Sequence, residues 1–595
     1  MSAGTVRAQG AALGERPASD LRAGDAEALR LRALETARDR LLAAGLVFVV
    51  AFLICAGRLV DLGAFGGGTA EGPAVAAVAG SVGRGDIVDR NGVLLATSLP
   101  TASLFADPKE VLDARAASAA LAQVFPSLDR AWLQSKLTLD GRFVWLRRNL
   151  SPAEQNAVNR LGIPGLGFRT EYRRVYPQGR SAAHVLGRAN IDEFGMAGIE
   201  RSFDALLANG ETVRLSLDMR IQQIFREELQ AKVQEHRAIG GAGLVMDVST
   251  GEILAMVSLP DYDPNAPAVP DDQARFNRVS QGVYEMGSVF KLLTLAMALD
   301  SNATTLEGGY DASRPLRVGH HTISDYHAKN RWLSVPEILI HSSNIGAALM
   351  AVDVGSTRQR QYLQHFGLLS VPAIDLPVPE IGEPLVPNPW REVNTMTVGF
   401  GHGIAVTPLQ MAAATAAVVN GGVYRPASLL SSDASTLAPG VRAVSARTSK
   451  QMRAMLRLVV RFGTGMKADV PGYHVGGKTG TAEKLVKGRY RRDQRVASFI
   501  GAFPMEAPRY VVFAMVDEPK GTAKTFNYAT GGWVAAPLVG RVIARSAPVL
   551  GVAPIEEVKE VKKSPTKNAT THKEQMMQAI REAIASSKGR QLAAN

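Results

Sequence analysis

The sequence predicts a mixed α/β protein with three main parts: a single N-terminal transmembrane helix, an elongated α+β pedestal, and a larger domain with a central antiparallel sheet. Three observations predict this fold. An uncharged apolar run lies near the N-terminus, strand patterns lie at both ends of the long C-terminal region, and helical patterns lie between them. We place a cytoplasmic tail at 1–40, the transmembrane helix at 41–60, the pedestal at 61–214, the C-terminal domain at 215–552 and a flexible charged tail at 553–595.

The composition excludes several classes of protein. Apolar residues make up 46% of the chain and charged residues 21%, so the chain is not disordered throughout. A net charge of +12 suits a surface near anionic lipid or an acidic polymer, and it does not indicate nucleic acid. Cys55 is the single cysteine, which excludes a disulfide framework and a cysteine-based zinc site.

The apolar run indicates a membrane anchor and its orientation. Residues 41–57 carry no charge, and the span extends to residue 60 if Arg58 snorkels, because about 20 residues cross a bilayer. A buried helix of a soluble domain is the alternative. Five arginines lie in the 20 residues before the run and one in the 20 residues after its end, so the N-terminus faces the cytoplasm and the rest of the chain is exported.

The pedestal and the C-terminal domain show different patterns. In the pedestal, apolar residues flank the turn dipeptide Asn91-Gly92, which predicts a hairpin, and no catalytic groups collect there. The tail contains no aromatic residue from Glu556 onward, and we expect only a weak helix around residues 575–585. The C-terminal domain has helical patterns at Ile221–Val233, Val289–Leu299 and Thr407–Val419, and strand patterns at Gly243–Val248, Glu252–Val257, Val475–Thr481, Phe499–Phe503 and Tyr510–Val516.

The first chemical motif is Ser288-Val289-Phe290-Lys291, at the start of an apolar helix. Residues i and i+3 share a helix face, so the Lys291 amine lies near the Ser288 hydroxyl. A desolvated lysine is neutral and can activate a serine nucleophile. The same spacing recurs at Ser564 and Lys567 in the tail, so the motif alone is weak.

Two further motifs complete the pattern. Ser342-Ser343-Asn344 offers a proton relay and an orienting amide, with a helix N-cap as the alternative interpretation. In Lys478-Thr479-Gly480-Thr481, a lysine and two hydroxyls suit a carboxylate, and the glycine allows a substrate backbone to approach. The alternative there is an exposed strand lysine.

A metal site is a weaker hypothesis. His320, His321, Asp325 and His327 lie between the first two motifs, but their spacing matches no standard zinc pattern. We therefore predict no metal and no cofactor.

In this order, the three motifs are the signature of penicillin-binding proteins and serine β-lactamases. The middle motif has Ser343 where class A β-lactamases have aspartate, and no glycosyltransferase-sized domain precedes the pedestal. The chain therefore resembles the class B penicillin-binding proteins, and the division-specific, FtsI-like type fits better than the elongation-specific type. The resemblance also rests on Arg84-Gly85-Asp86-Ile87, Gly198-Ile199-Glu200 and Gly399-Phe400-Gly401-His402-Gly403.

The resemblance implies a penicillin-binding transpeptidase domain with a serine β-lactamase-like fold, and an activity in cell-wall cross-linking. It implies that Ser288 is the nucleophile, Lys291 its base, Ser342 a proton relay and Asn344 an orienting residue for the stem peptide. The substrate-binding residues it implies are Lys478, Thr479, Gly480 and Thr481.

The resemblance also implies partners and a location. The ligands are peptidoglycan stem peptides and β-lactam antibiotics, and the partners are the membrane, an FtsW-like glycosyltransferase that uses a lipid-linked substrate, and other division proteins. The location is the bacterial inner membrane, with the catalytic domain in the periplasm. A non-catalytic scaffold, a β-lactam sensor and a hydrolytic carboxypeptidase are the other functions to separate from this one.

Overall fold

The computed structural model describes most of the chain after residue 82. The chain divides into two units, residues 1–81 and 82–595. The predicted cytoplasmic tail and most of the predicted transmembrane helix lie outside the described residues, and in the described part of the chain no helix is both long and apolar enough to cross a bilayer. The described residues are 45–46, 49–50, 52–53, 56, 83–266, 272–319, 321–432, 439–486, 489–556 and 572–588.

The pedestal contains a five-stranded sheet in the order β3 (Val144–Leu150), β2 (Leu94–Ala106), β1 (Ile87–Val88) and β7 (Val213–Arg214), with β4 (Leu166–Val175) also paired to β2. The predicted hairpin at Asn91-Gly92 joins β1 to β2, and Gly92 has a φ of 85°, a backbone conformation that glycine adopts readily. The Asp89 side chain accepts from the N–H groups of Asn91 and Val93, which fixes the turn. The pedestal strands are β1 (Ile87–Val88), β2 (Leu94–Ala106), β3 (Val144–Leu150), β4 (Leu166–Val175), β5 (Arg188–Ala189), β6 (Gly195–Ala197) and β7 (Val213–Arg214).

Short helices cover this sheet. Leu104, Leu121, Leu133 and Leu146 belong to one buried cluster that joins the first two helices to the strands. The pedestal helices are α1 (Ala114–Val124), α2 (Arg130–Leu137), α3 (Pro152–Asn159), α4 (Ala183–Leu186), α5 (Gly198–Ser202) and α6 (Asp204–Ala208).

The C-terminal domain has a central five-stranded sheet, in the order β16 (Gly476–Val486), β17 (Arg489–Phe503), β18 (Tyr510–Asp517), β8 (Gly240–Asp247) and β9 (Ile253–Leu259), and every pairing is antiparallel. Every residue of β18 is buried because helices cover both faces of the sheet. This arrangement confirms the mixed α/β fold with a central antiparallel sheet. The strands are β8 (Gly240–Asp247), β9 (Ile253–Leu259), β10 (Gly309–Asp311), β11 (Leu316–Val318), β12 (His321–Ile323), β13 (Trp332–Ser334), β14 (Val423–Tyr424), β15 (Val441–Arg442), β16 (Gly476–Val486), β17 (Arg489–Phe503) and β18 (Tyr510–Asp517).

The helices form two layers around this sheet. Phe225 of α7 (Met219–Glu235) and Val539 of α16 (Ala535–Val549) pack on the face that contains Val512. Leu292 of α9 (Lys291–Asp300) and Met411 of α14 (Pro408–Val419) pack on the face that contains Phe513. The alternation of side chains along β18 therefore separates two cores. The helices are α7 (Met219–Glu235), α8 (Asp272–Arg275), α9 (Lys291–Asp300), α10 (Val335–His341), α11 (Asn344–Val354), α12 (Ser356–His365), α13 (Glu392–Val398), α14 (Pro408–Val419), α15 (Ala446–Phe462), α16 (Ala535–Val549) and α17 (His572–Lys588).

The pedestal and the C-terminal domain share one of these cores. Ile87 and Leu95 of the pedestal belong to the same buried cluster as Leu244 and Phe513 of the central sheet. The Asp89 carboxylate also accepts from the N–H of Met219 at the start of α7, at 3.1 Å. The two regions therefore meet through a packed apolar contact and a buried hydrogen bond.

A buried ion cluster lies in the pedestal. The Glu200 side chain has no exposed surface, and its two oxygens accept from Arg84 Nε at 2.6 Å and Arg174 Nε at 2.7 Å. Arg84 also pairs with Asp204 at 2.7 Å. This cluster joins the chain before β1, the end of β4 and helices α5 and α6.

The weak helix predicted around residues 575–585 is present as α17, His572–Lys588, but it is docked on the domain rather than part of a flexible tail. Met576, Ala579 and Ile580 recur at helical spacing and are buried against the core. Lys450 Nζ of α15 donates to the carbonyl of Ser586 at 3.0 Å. The short apolar stripe is therefore sufficient to dock the helix, although its overall composition is polar.

Replacing Ile580 with aspartate is expected to release α17, because a carboxylate would lose its hydration in an apolar contact. Hydrogen–deuterium exchange should show faster uptake across residues 572–588, with little change elsewhere. Gln575→Asp, on the exposed side of the same helix, is the matched control. Equal uptake in both variants and the parent would show that this docking contributes nothing.

Candidate active site

Ser288 lies in a short 3-10 turn, Gly287–Phe290, that continues directly into α9. The helical pattern predicts this element from Val289 onward, and the structure begins it with the tighter turn. Side chains at i and i+3 eclipse one another in a 3-10 turn, which brings Lys291 Nζ to 2.9 Å from Ser288 Oγ. The predicted pairing of serine and lysine is therefore present.

Lys291 is the centre of the arrangement, and its side chain is almost fully buried. Its amine also lies 2.6 Å from the Ser342 carbonyl oxygen, 3.1 Å from Ser342 Oγ and 2.7 Å from Asn344 Oδ1. Burial, together with the charge of Lys478, lowers the pKa of Lys291 well below its ordinary value of 10.5, and Asp325 opposes the shift. A neutral amine at this position can accept the proton of the serine hydroxyl.

Ser342 ends helix α10 in the left-handed region, with a φ of 59°. Residues other than glycine rarely adopt this conformation, and such strain is found at functional positions. The conformation places Ser342 Oγ between two amines, 3.1 Å from Lys291 Nζ and 2.9 Å from Lys478 Nζ. A continuous chain of hydrogen bonds thus runs from Ser288 through Lys291 and Ser342 to Lys478.

The middle motif divides its three residues between two tasks. Ser343 is the N-cap of α11, and its hydroxyl accepts from the N–H of Gly346, so the cap interpretation is correct for this residue. Asn344 directs its carbonyl oxygen at Lys291 and donates its amide to the carbonyl of Ser324 at 2.9 Å. The side chain of Asn344 is thereby fixed in orientation.

Asp325, one of the residues weighed as a metal ligand, anchors this motif instead. One carboxylate oxygen accepts from the N–H groups of Asn344 at 2.5 Å and Ile345 at 3.0 Å, and the other accepts from Ser343 Oγ at 2.7 Å. A carboxylate is favourable at this helix N-terminus. Within the described residues no group of three or more potential ligands could hold a metal ion. The position of His320 and the side chain of His321 lie outside the described residues.

Lys478 lies on β16, the edge strand of the central sheet, and its side chain is fully buried. Its amine donates to Ser342 Oγ at 2.9 Å and to the Thr479 carbonyl at 3.1 Å. Burial lowers the pKa of Lys478 to about 7. Thr479 Oγ1 pairs with Thr464 Oγ1 at 2.6 Å, and Thr481 Oγ1 accepts from the N–H of Gly531 at 3.0 Å. Because the Lys478 side chain is buried, the interpretation of this residue as an exposed strand lysine is wrong.

Gly480 is also required by the packing of the protein itself. A Cβ there would lie 2.3 Å from Ser498 Oγ and 2.7 Å from the Met286 carbonyl oxygen. Glycine thus allows β16 to pack against the turn that holds Ser288. The position serves the assembly of the site from within the protein.

The chain is similar to known proteins along most of its length. Residues 241–544 match the penicillin binding protein transpeptidase domain, and residues 80–214 match the penicillin-binding protein dimerisation domain. A probable peptidoglycan D,D-transpeptidase FtsI of Caulobacter vibrioides is 42% identical over 518 residues, which cover 85% of this chain and 86% of the relative. Peptidoglycan D,D-transpeptidase FtsI of Escherichia coli K12 is 31% identical over 508 residues, covering 80% and 85%.

A solved structure shares the fold. Penicillin binding protein 3 of Mycobacterium tuberculosis, in complex with aztreonam, aligns with a TM-score of 0.63 and 26% identity, and the match covers 80% of this chain and 98% of that one. Both matched domains occur in the order that the resemblance implies, and the two FtsI proteins each align with 80% or more of this chain. The chain therefore belongs to the class B penicillin-binding proteins and is FtsI-like.

Proposed function

We propose that this chain is a serine-type D,D-transpeptidase that cross-links peptidoglycan stem peptides during septal wall synthesis. The main support is the buried Lys291 amine, which contacts Ser288, Ser342 and Asn344 at once. No such amine is needed by a non-catalytic scaffold. The relatives named as D,D-transpeptidases support the same reaction.

Acylation begins when Lys291 Nζ takes the proton of Ser288 Oγ, and the oxygen attacks the carbonyl carbon between the two D-alanines. The backbone N–H groups of Ser288 and Thr481 stabilise the oxyanion, and one such donor is worth about 10²–10³ in rate. The C–N bond then breaks, and the proton passes from Lys291 through Ser342 to the leaving D-alanine amine. The product is an ester of Ser288.

Deacylation forms the cross-link. An amine of a neighbouring stem attacks the ester carbonyl, its proton passes to Lys291, and Ser288 Oγ leaves and regains a proton as the new amide bond forms.

Lys478, Thr479 and Thr481 hold the terminal carboxylate, and Asn344 orients the stem amide. Gly480 contributes by holding β16 against the catalytic turn.

β-Lactams carry a carbonyl and a carboxylate that resemble the D-alanyl-D-alanine end, so they acylate the same serine. Fluorescent penicillin should label the parent chain covalently and should not label Ser288→Ala. Ser301→Ala, at the C-terminal end of α9, is the matched control and should label normally. Equal labelling of Ser288→Ala and the parent would disprove the nucleophile assignment, and product analysis with an acceptor amine separates transpeptidation from hydrolysis.

The rate of acylation is expected to follow a bell-shaped pH profile. Lys291 must be neutral, so the rate rises as pH increases through its lowered pKa. Lys478 must be charged to attract a carboxylate, so the rate falls as pH rises through about 7. Stopped-flow labelling at a series of pH values measures both limbs, with thermal melts as a control for folding. A rate that keeps rising well above neutrality would contradict the role of the Lys478 charge.

The location and partners belong to the same proposal. Residues 41–60 anchor the protein in the bacterial inner membrane, with the N-terminus in the cytoplasm and the catalytic domain in the periplasm. An FtsW-like glycosyltransferase packs against the small residues Ala43, Ala44 and Gly45 of that span. Replacing all three with leucine should reduce co-purification, and unchanged co-purification would remove this contact.

Depletion of the protein should give filaments, whereas round cells would indicate the elongation-specific role.

A further inference from the structure

A second polar cluster, formed by Glu285, His402, Glu483 and Tyr490, lies beside the catalytic turn. Glu285 Oε1 accepts from the Tyr490 hydroxyl at 3.0 Å and from the N–H of Gly403 at 2.9 Å. The ring of His402 lies 5.9 Å from that of Tyr490, centre to centre. Tyr490 pairs with Leu485 in the register of β16 and β17, so it lies close to Glu483, which is two residues before Leu485 on the same strand. Burial, Glu285 and Glu483 all raise the pKa of Tyr490.

Several polar atoms of this cluster are unsatisfied. Glu285 Oε2 and His402 Nδ1 are buried and have no hydrogen-bond partner among the described residues. Glu483 is partly exposed, and its side chain forms no hydrogen bond or ion pair in the part of the chain that the structure describes. Buried polar atoms are almost always paired, because leaving one unpaired costs free energy. The cluster therefore lacks a donor group, and a cation with several N–H donors would supply it.

The cluster lies beside β16, the edge strand that also carries the predicted carboxylate-binding residues. Glu285 precedes the nucleophile Ser288 by one turn, and Glu483 lies on the same face of β16 as Thr479 and Thr481. β16 is the edge of its sheet, so an extended peptide can run along it. At about 3.3 Å per residue, Glu483 lies roughly 16 Å along the strand from Lys478. A stem whose terminal carboxylate lies at the Lys478 end therefore directs the residue before its two D-alanines toward the two glutamates.

We propose that Glu285 and Glu483, with Tyr490 and His402, form an anionic subsite for the side-chain ammonium of the diamino residue that precedes the two D-alanines of the donor stem. The inference rests on the proposed transpeptidase function. Donor and acceptor stems are copies of one another, so the donor carries the same amine that the acceptor uses to attack. The groove then has a cationic end for the carboxylate and an anionic end for the ammonium.

Two synthetic thioester donors test this subsite. They end in D-alanyl thioester and differ in one group, because the preceding residue carries either a free side-chain amine or its acetylated form. With the parent chain, the free amine should raise kcat/KM by about tenfold over the acetylated donor, equivalent to about 1.4 kcal/mol. In the double variant Glu285→Gln, Glu483→Gln, the ratio of the two kcat/KM values should fall close to one, because glutamine keeps the size and removes the charge.

The controls separate this inference from folding and from the proposed function. Glu483→Gln alone breaks no hydrogen bond in the described part of the chain, and it should lower the ratio by itself. Glu506→Gln, an exposed carboxylate between β17 and β18, should keep the parent ratio. A parent ratio near one, or an unchanged ratio in the double variant, overturns the subsite. Failure of fluorescent penicillin to label the parent chain at Ser288 overturns the proposed function, and the subsite with it.

Discussion

Replacing Lys291 with methionine is expected to slow acylation by about 10²–10⁴-fold, the usual contribution of a positioned general base. Methionine retains much of the buried volume of the side chain, but it cannot take the Ser288 proton. It also removes the amine that four oxygens contact. Time-resolved labelling with fluorescent penicillin measures the loss directly.

Lys450→Met is the matched control for this variant. Lys450 lies on α15, and the only hydrogen bond of its amine among the described residues is to the carbonyl of Ser586. Its acylation rate should equal that of the parent. If Lys291→Met labels within tenfold of the parent rate while remaining folded, another group accepts the serine proton and the assignment of the base is wrong.

Replacing Glu200 with glutamine is expected to destabilise the protein by about 3–5 kcal/mol, the usual cost of breaking a buried ion pair. The carboxylate has no exposed surface, and it neutralises both Arg84 and Arg174. Glutamine fills the same space but leaves the two guanidinium groups with less compensating charge. Urea unfolding followed by tryptophan fluorescence measures the change in the free energy of unfolding.

Glu110→Gln is the control for the buried cluster. Glu110 is an exposed pedestal residue whose side chain makes no hydrogen bond or ion pair in the described structure, so its replacement should change stability by less than about 0.5 kcal/mol. A Glu200→Gln protein that unfolds at the parent urea concentration would show that the two arginines find other compensation. Intact penicillin labelling at low urea would confine the effect to stability.

The chemistry of the site was largely predictable because it depends on residues with fixed short spacings. Ser288 and Lys291 are one turn apart, so their contact follows from either a 3-10 or an α conformation. The central sheet was predictable from apolar runs such as Tyr510–Val516, which become strands with both faces buried. The convergence of Ser342 and Lys478, 136 residues apart, came from the resemblance to a family and from no local pattern.

Other features depend on long-range contacts that a single sequence does not reveal. Asp325 looked like a possible metal ligand, but its partners are backbone N–H groups 19 and 20 residues away. Gly480 was predicted to leave room for a substrate backbone, and no local pattern indicated that Ser498 on the neighbouring strand also excludes a side chain there. Helix α17 carries too short an apolar stripe to indicate docking without knowledge of the surface that receives it.

The core shared by the pedestal and the central sheet has a mechanical consequence. Ile87 and Leu95 pack in the same buried cluster as Phe513, so the boundary between the two regions is a packed apolar interface. Close-packed interiors are barely compressible and transmit strain. A torque applied to the pedestal by a neighbouring protein would therefore rotate the pedestal and the catalytic groove around Ser288 together, instead of bending the boundary between them.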